Sequence, residues 1–189
     1  MEAQYFATSI AALIPDIEDT STSDVSHQQG GTSSAGQDTT EIGDEGEQYV
    51  YEYEKKRVAQ FNARLANKVL SMGKTKGLGY DIQTVFAVPG DHAEFVKYIE
   101  VKATKRVTAP DLSDPLWIDT LNVTRNEWVA AQQHGKYYSI YRVYFVRGTV
   151  VMYVIENPYS LYESGTISVV PTMYKVDFGN NAVDRVINA

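Results

Sequence analysis

The sequence predicts an α/β sandwich built on a mixed β-sheet flanked by helices, in the order long helix, β-hairpin, strand, helix, strands. Three observations predict it. A run without Gly or Pro from Glu47 to about Leu70 repeats apolar residues at helical spacing. Two segments rich in β-branched and aromatic residues flank the turn-forming Pro89, Gly90 and Asp91. A capped helical segment after Thr124 then leads into tyrosine-rich stretches broken at Gly148.

With 189 residues, 43% of them hydrophobic, the chain can bury one sizeable core. Its formal charge of −7 is unevenly placed: residues 1–46 hold nine Asp or Glu and no Lys or Arg, and the remainder holds 15 acids and 17 bases. Division along the chain therefore gives −9 followed by +2. The stretch from Asp19 to Thr40 is rich in Ser, Thr, Gly and Gln, and buries too little apolar surface to offset its ordering entropy. Residues 1–43 are thus expected to be an acidic, mostly disordered segment, in which Tyr5, Phe6, Ile10, Leu13 and Ile14 could form a short amphipathic helix. Residues 44–189 form the folded domain.

The long helix places Val50, Tyr51, Val58, Phe61, Leu65 and Val69 on its apolar stripe. At ~100° per residue Glu47 shares the azimuth of Leu65, and Glu54 lies close to it. Two acids on a core-facing stripe need a reason. For Glu54 a salt bridge to a base is expected, whereas Glu47 is either a first-turn acid favoured by the helix dipole or a ligand.

Tyr80 to Val88 and Glu94 to Thr104 read as the two strands of the hairpin. Pairing Val88 with Phe95 sets Asp81 opposite Lys102 and Gln83 opposite Glu100, all on one face, with Ile99 and Val101 on the other. An acid and a lysine inside an apolar strand cost free energy unless they pair, bind a metal or do chemistry. Leu116 to Leu121 is the expected third strand. Thr124, Arg125, Asn126 and Glu127 match a capping box, so a helix runs from about Arg125 to His134 and stops at Gly135. Tyr138 to Arg147 and Thr149 to Glu156 form a hairpin turning at Gly148, and Ile167 to Phe178 is a last extended region.

Several function classes are excluded or narrowed by composition. No cysteine is present, and His27, His92 and His134 have no zinc-ligand spacing. Any metal must be a hard ion on oxygen ligands, with magnesium or manganese the natural candidates. No apolar run approaches a membrane span and no basic leader opens the chain, so the expected location is cytoplasmic, without membrane contact.

Gly46 and Glu47, Glu54, Gly79–Ile82, Ile99–Lys102, Thr124, Asn126, Glu127 and the strand from Tyr138 to Tyr144 together resemble the NO VEIN-like C-terminal domain family, over roughly residues 44–178. That family is usually placed in the PD-(D/E)xK nuclease superfamily and is often attached to helicase, ATPase or restriction-related proteins. No proline precedes Asp81, a departure from the first acidic motif. Gln133 and Tyr137 echo the Gln-x-x-x-Tyr element of the RecB-like branch as accessory residues. The resemblance implies a restriction-endonuclease-like core and phosphodiester hydrolysis assisted by Mg2+, for which Mn2+ substitutes, in restriction, defence or DNA processing. Asp81, Glu100 and the Val101 carbonyl would hold the ion, with Glu47 completing the shell directly or through water. Lys102 would contact the attacking water and the charge that develops on the phosphate.

The expected partner is nucleic acid, DNA before RNA. Lys74, Lys76, Lys105 and Arg106 near the motif, and Lys55, Lys56, Arg57, Arg64 and Lys68 on the helix, are the candidate phosphate contacts. Two rival readings stand beside the enzyme: a non-catalytic module that docks nucleic acid or a partner subunit, and an accessory tethered to a helicase, ATPase or methyltransferase. Pairing of two copies into a homodimer, to cut both strands, stays open.

Overall fold

The computed structural model describes residues 34–75, 77–87, 95–170 and 175–188. The proposed N-terminal helix around Tyr5 to Ile14, the turn at Pro89 to Asp91, the partner position Val88 and the side chain of Lys76 lie outside the described residues.

Helix α1 (Ser34–Phe61) begins within the Ser/Thr/Gly-rich stretch, earlier than the expected start at Glu47. It also ends sooner. Asn62 adopts an extended conformation, and its side chain accepts the N–H of Arg64 to start a separate 3-10 turn, Ala63–Lys68. Leu65 and Val69 therefore reach the core from that turn and its cap. On α1 the buried stripe is Val50, Glu54 and Val58, spaced four residues apart.

The main sheet has six strands in the order β1-β2-β3-β5-β6-β9. They are β1 (Leu70–Ser71), β2 (Ile82–Val85), β3 (Val96–Arg106), β5 (Tyr138–Val146), β6 (Thr149–Glu156) and β9 (Arg185–Asn188). Among the described residues only β3 and β5 run parallel, so the sheet is mixed as expected. The chain between them carries β4 (Asp119–Asn122) and α2 (Arg125–His134), and a short α3 (Pro158–Glu163) follows β6. The capping box at Thr124 and the stop at Gly135, with φ of 52°, both form. Gly148, at φ 84°, turns β5 into β6.

Three expectations need correction. The strand expected at Leu116–Leu121 is β4, shifted to Asp119–Asn122. Asp114 accepts the Leu116 N–H, which holds Leu116 in a turn. Nor does β4 join the main sheet: it pairs with β8 (Lys175–Phe178), which also pairs with β7 (Ser168–Val170), in a second, three-stranded sheet. The extended region Ile167–Phe178 is thus two strands, and β9 is additional. Finally, β2 pairs with β3 through Ile82 opposite Ile99 and Gln83 opposite Tyr98, two residues away from the expected register. An even slide leaves each side chain on its face.

The main sheet buries both faces. Against α1 lie Ile99, Val101, Tyr141, Val143, Met152 and Val154. On the other face Tyr138, Ile140, Tyr144, Tyr153 and Ile155 pack with Trp128 and Ala131 of α2 and Phe178 of the small sheet. Among the described residues no helix is long and apolar enough to cross a membrane.

Candidate functional site

Alternation along β3 turns Ile99 and Val101 into the α1 core and leaves Glu100 and Lys102 on the α2 side. Glu100 is buried, and its Oε1 lies 2.7 Å from Lys102 Nζ. Asp81 sits one residue before β2. Its N–H donates to the Ile99 carbonyl, and its Oδ2 accepts the Val101 N–H at 2.8 Å. The Asp81 and Glu100 carboxyl groups are close enough to interact directly. Two acids and one ammonium group from adjacent strands therefore converge on one side of the sheet.

Glu127 completes the cluster. Its Oε2 accepts the Thr124 N–H at 2.9 Å as part of the capping box and lies 2.8 Å from Lys102 Nζ. From the sequence alone Glu127 is a cap, and nothing in its local pattern marks the second partner. That partner depends on how the crossover from β3 to β5 lays α2 over the sheet. Tyr138, also on this face, donates its hydroxyl to the Gly79 carbonyl at 2.8 Å.

Glycine conformation shapes the rest. Gly79 has φ of 75°, and a Cβ there would come within 2.5 Å of the Asn126 carbonyl. Only glycine lets the Gly79–Asp81 segment lie against α2. Gly46 is equally constrained, since a Cβ would meet that of Ala103 at 2.5 Å. This close approach of α1 to β3 brings the neighbouring Glu47 to the end of the sheet, where its carboxylate lies against Gly73. Between the Gly73–Gly79 loop and the start of α2, a polar cavity of about 170 Å³ opens onto Asp81, Glu100 and Glu127.

Burial pushes the Glu100 carboxyl well above its ordinary range, with Asp81 and Glu127 adding to the shift and Lys102 opposing it. Asp81 is raised as well, by burial against the pull of the Val101 N–H and Lys102. Glu47 is pushed up to about 7 by burial, Asp81 and Asp44. For Lys102, burial draws the pKa down, but Glu100 and Glu127 more than offset it and the group stands above an ordinary lysine. The ammonium thus stays protonated at neutral pH and acts as a hydrogen-bond donor and a positive charge.

Among the described residues no group of three or more His, Cys, Asp or Glu is arranged to hold a metal. The cluster offers two hard carboxylates, a neighbouring main-chain carbonyl at Val101 and an open polar cavity. That set fits magnesium, which retains several waters and takes one or two carboxylates plus substrate phosphate. Asp81 and the buried Glu100, both with raised pKa values, have only the Lys102 ammonium near them among the described residues, and a divalent ion would add positive charge there.

The other sequence candidates divide. Lys74 is exposed in the loop beside the cavity, and Lys105 and Arg106 are exposed at the end of β3. Lys105 lies 3.8 Å from Glu45, and Arg106 stands over the Tyr144 ring. Arg57 is not available to phosphate: it grips both Glu54 oxygens and the Val85 and Phe86 carbonyls. Glu54 accordingly forms the expected salt bridge. Tyr137 packs against Phe86 and Phe95, at the end of the β2–β3 pair remote from Asp81, and Gln133 is exposed on α2. Neither joins the cluster.

A family model described as Protein NO VEIN, C-terminal, matches residues 46–155, more than half of the chain. The chain belongs to the NO VEIN C-terminal family. The match begins at Gly46 and takes in Glu47, Asp81, Glu100, Lys102 and Glu127. No curated protein and no solved structure matches the chain. Within this member of the NO VEIN C-terminal family, β7, β8 and β9 lie beyond the matched span.

Proposed function

We propose that this protein is a divalent-metal-dependent nuclease of the PD-(D/E)xK type, with a restriction-endonuclease-like core, that hydrolyses phosphodiester bonds in DNA. The observation that carries the reading is the convergence of Asp81, Glu100 and Lys102 on one face beside an open polar cavity. Magnesium, or manganese in its place, would supply Lewis-acid polarisation of the phosphoryl oxygen. Asp81, Glu100 and the Val101 carbonyl would hold the ion, and Glu47 would reach it through water. Lys102, as a protonated donor, would orient the attacking water and stabilise negative charge on the phosphate. Lys74, Lys76, Lys105 and Arg106 would take flanking phosphates. In this reading the protein works in the cytoplasm, in restriction, defence or DNA processing, beside a helicase, ATPase or methyltransferase, or as a homodimer.

A second reading is a non-catalytic module that binds nucleic acid or a partner subunit. It is favoured by the lack, among the described residues, of a metal site with three ligating side chains.

The deciding experiment incubates single-stranded, duplex and branched DNA with the protein and magnesium or manganese, comparing wild type with Asp81→Ala and Lys102→Ala. Wild type should cleave, and each variant should lose roughly 100-fold or more while keeping its circular dichroism. Equal activity in all three preparations would assign the cleavage to a contaminant. Tight DNA binding by wild type, indifferent to magnesium and without cleavage, would favour the module.

A further inference from the structure

Lys102 Nζ stands between two carboxylates, 2.7 Å from Glu100 and 2.8 Å from Glu127. The two are not equivalent. The Glu100 side chain is 4% exposed and lies beside Asp81 at the cavity, so in the metal-dependent reading it is the acid shared with the ion. The Glu127 side chain is 14% exposed, and its Oε2 is pinned by the Thr124 N–H at the start of α2. An ion held by Asp81 and Glu100 repels the nearby ammonium and competes with it for the Glu100 oxygens. With Glu100 as its only partner, Lys102 would either exclude the ion or leave the site.

We propose that Glu127 is a positioning residue, a second seat that holds the Lys102 ammonium beside the cavity when Glu100 turns to a divalent cation. This rests on the metal-dependent reading of the same cluster. An ordinary capping box needs no lysine, since the Thr124 hydroxyl and the Glu127 carboxylate satisfy each other's backbone N–H groups. Here one carboxylate oxygen serves both partners, so the helix cap fixes where the ammonium stands. Because that oxygen is tied to the start of α2, it cannot follow Lys102 elsewhere.

The test measures Mn2+ binding by the full chain without nucleic acid, reading free Mn2+ by electron paramagnetic resonance, for wild type, Glu127→Gln, Lys102→Met and the double variant. Glutamine retains the acceptor for the Thr124 N–H, so the cap survives and circular dichroism should not change. Glu127→Gln alone should weaken Mn2+ binding roughly tenfold, as loss of an outer-shell partner does. In the Lys102→Met background, with no ammonium to seat, the same change should matter by less than about twofold, within the scatter of additive effects. Equal weakening in both backgrounds would show that Glu127 acts only through its charge, independently of Lys102, and would overturn the proposal. The nuclease reading fails separately: the expected coupling in a chain that cleaves no DNA would keep the seat and remove the nuclease. Cleavage by wild type without the coupling would do the reverse. Absence of Mn2+ binding in wild type would remove both.

Discussion

Asp81 Oδ2 accepts the Val101 backbone N–H at 2.8 Å, so a carboxylate stands where the β2–β3 ladder ends. The same side chain is therefore both a structural acceptor and a candidate metal ligand, and two substitutions separate these roles. Asp81→Asn keeps an oxygen for Val101 and removes a charge beside Glu100. It should fold with unchanged or slightly higher stability, yet lose cleavage by about 100-fold or more. Asp81→Ala leaves a partly buried N–H without its partner and should cost about 1–3 kcal/mol in urea denaturation. If the asparagine variant cleaves like wild type, Asp81 is only a ladder cap.

Gly79 carries two constraints at once, a φ of 75° and a Cβ position 2.5 Å from the Asn126 carbonyl. Gly79→Ala should therefore destabilise by about 2–4 kcal/mol, through backbone strain plus a clash with main chain that cannot rotate away. The Tyr138 hydroxyl, which donates to the Gly79 carbonyl, should lose its partner together with the loop. Gly77, which has open space around its Cβ position and a φ of 89°, should show only the strain, about 1 kcal/mol. Thermal unfolding of the two variants side by side checks the difference. Equal losses would mean that the contact with α2 contributes nothing.

Much of this site was legible because side-chain alternation is a local property. Glu100 and Lys102 share a face in any strand that contains them, and Thr124 to Glu127 specify a cap wherever the helix lies. What the sequence could not supply depends on long-range placement. The β2–β3 register rests on a connecting loop whose length has no unique geometry, and the two-residue difference was harmless only because it was even. The partnership of β4 with β8 joins segments far apart in the chain and leaves no periodic trace in either. The end of α1 at Asn62 rests on one side-chain hydrogen bond, while the helical spacing continues past it. Lys102 shows the limit for electrostatics: burial and acid neighbours push its pKa in opposite directions, and the folded placement of Glu100 and Glu127 decides the balance.

Glu47 is raised to about 7 by burial, Asp81 and Asp44, with Lys102 opposing. A carboxyl whose folded pKa exceeds its unfolded value keeps its proton longer in the native state. Its contribution is most favourable below the ordinary glutamate value of 4.5 and is lost as pH rises to about 7. Glu47→Gln removes that loss. Its stability should match wild type near pH 4 and exceed it at pH 8 by about 1 kcal/mol, a figure reduced from the full shift because half of the group faces water. Urea denaturation at the two pH values measures it. A variant less stable than wild type at pH 8 would mean that the ionised carboxylate has a partner worth keeping.

Lys97 gives the opposite slope from the α1 side of the sheet. Burial lowers its pKa from 10.5 to about 8, with Glu54 and Glu156 opposing burial and Arg185 and Arg57 reinforcing it. Its contacts are weak: Nζ lies 3.4 Å from the Tyr141 hydroxyl and 3.7 Å from Glu156. Glu54 is already neutralised by the two-pronged grip of Arg57 and by the Tyr141 hydroxyl, and Arg185 holds Glu156. Nearby, the buried hydroxyl of Thr84, which faces Lys97 across the ladder, has no hydrogen-bond partner among the described residues. Between pH 8 and 10.5 the unfolded chain binds more protons at this lysine than the folded chain does. Stability from this group therefore rises with pH across that window, and below it the full burial cost is present. Lys97→Met keeps the packing of the aliphatic stem and removes the charge. It should raise stability at pH 7 by at most about 3 kcal/mol and abolish the slope between pH 8 and 10. Denaturant titrations of both proteins across that range decide it. A destabilised methionine variant at pH 7 would show that the long contacts to Tyr141 and Glu156 hold the charge more firmly than burial penalises it.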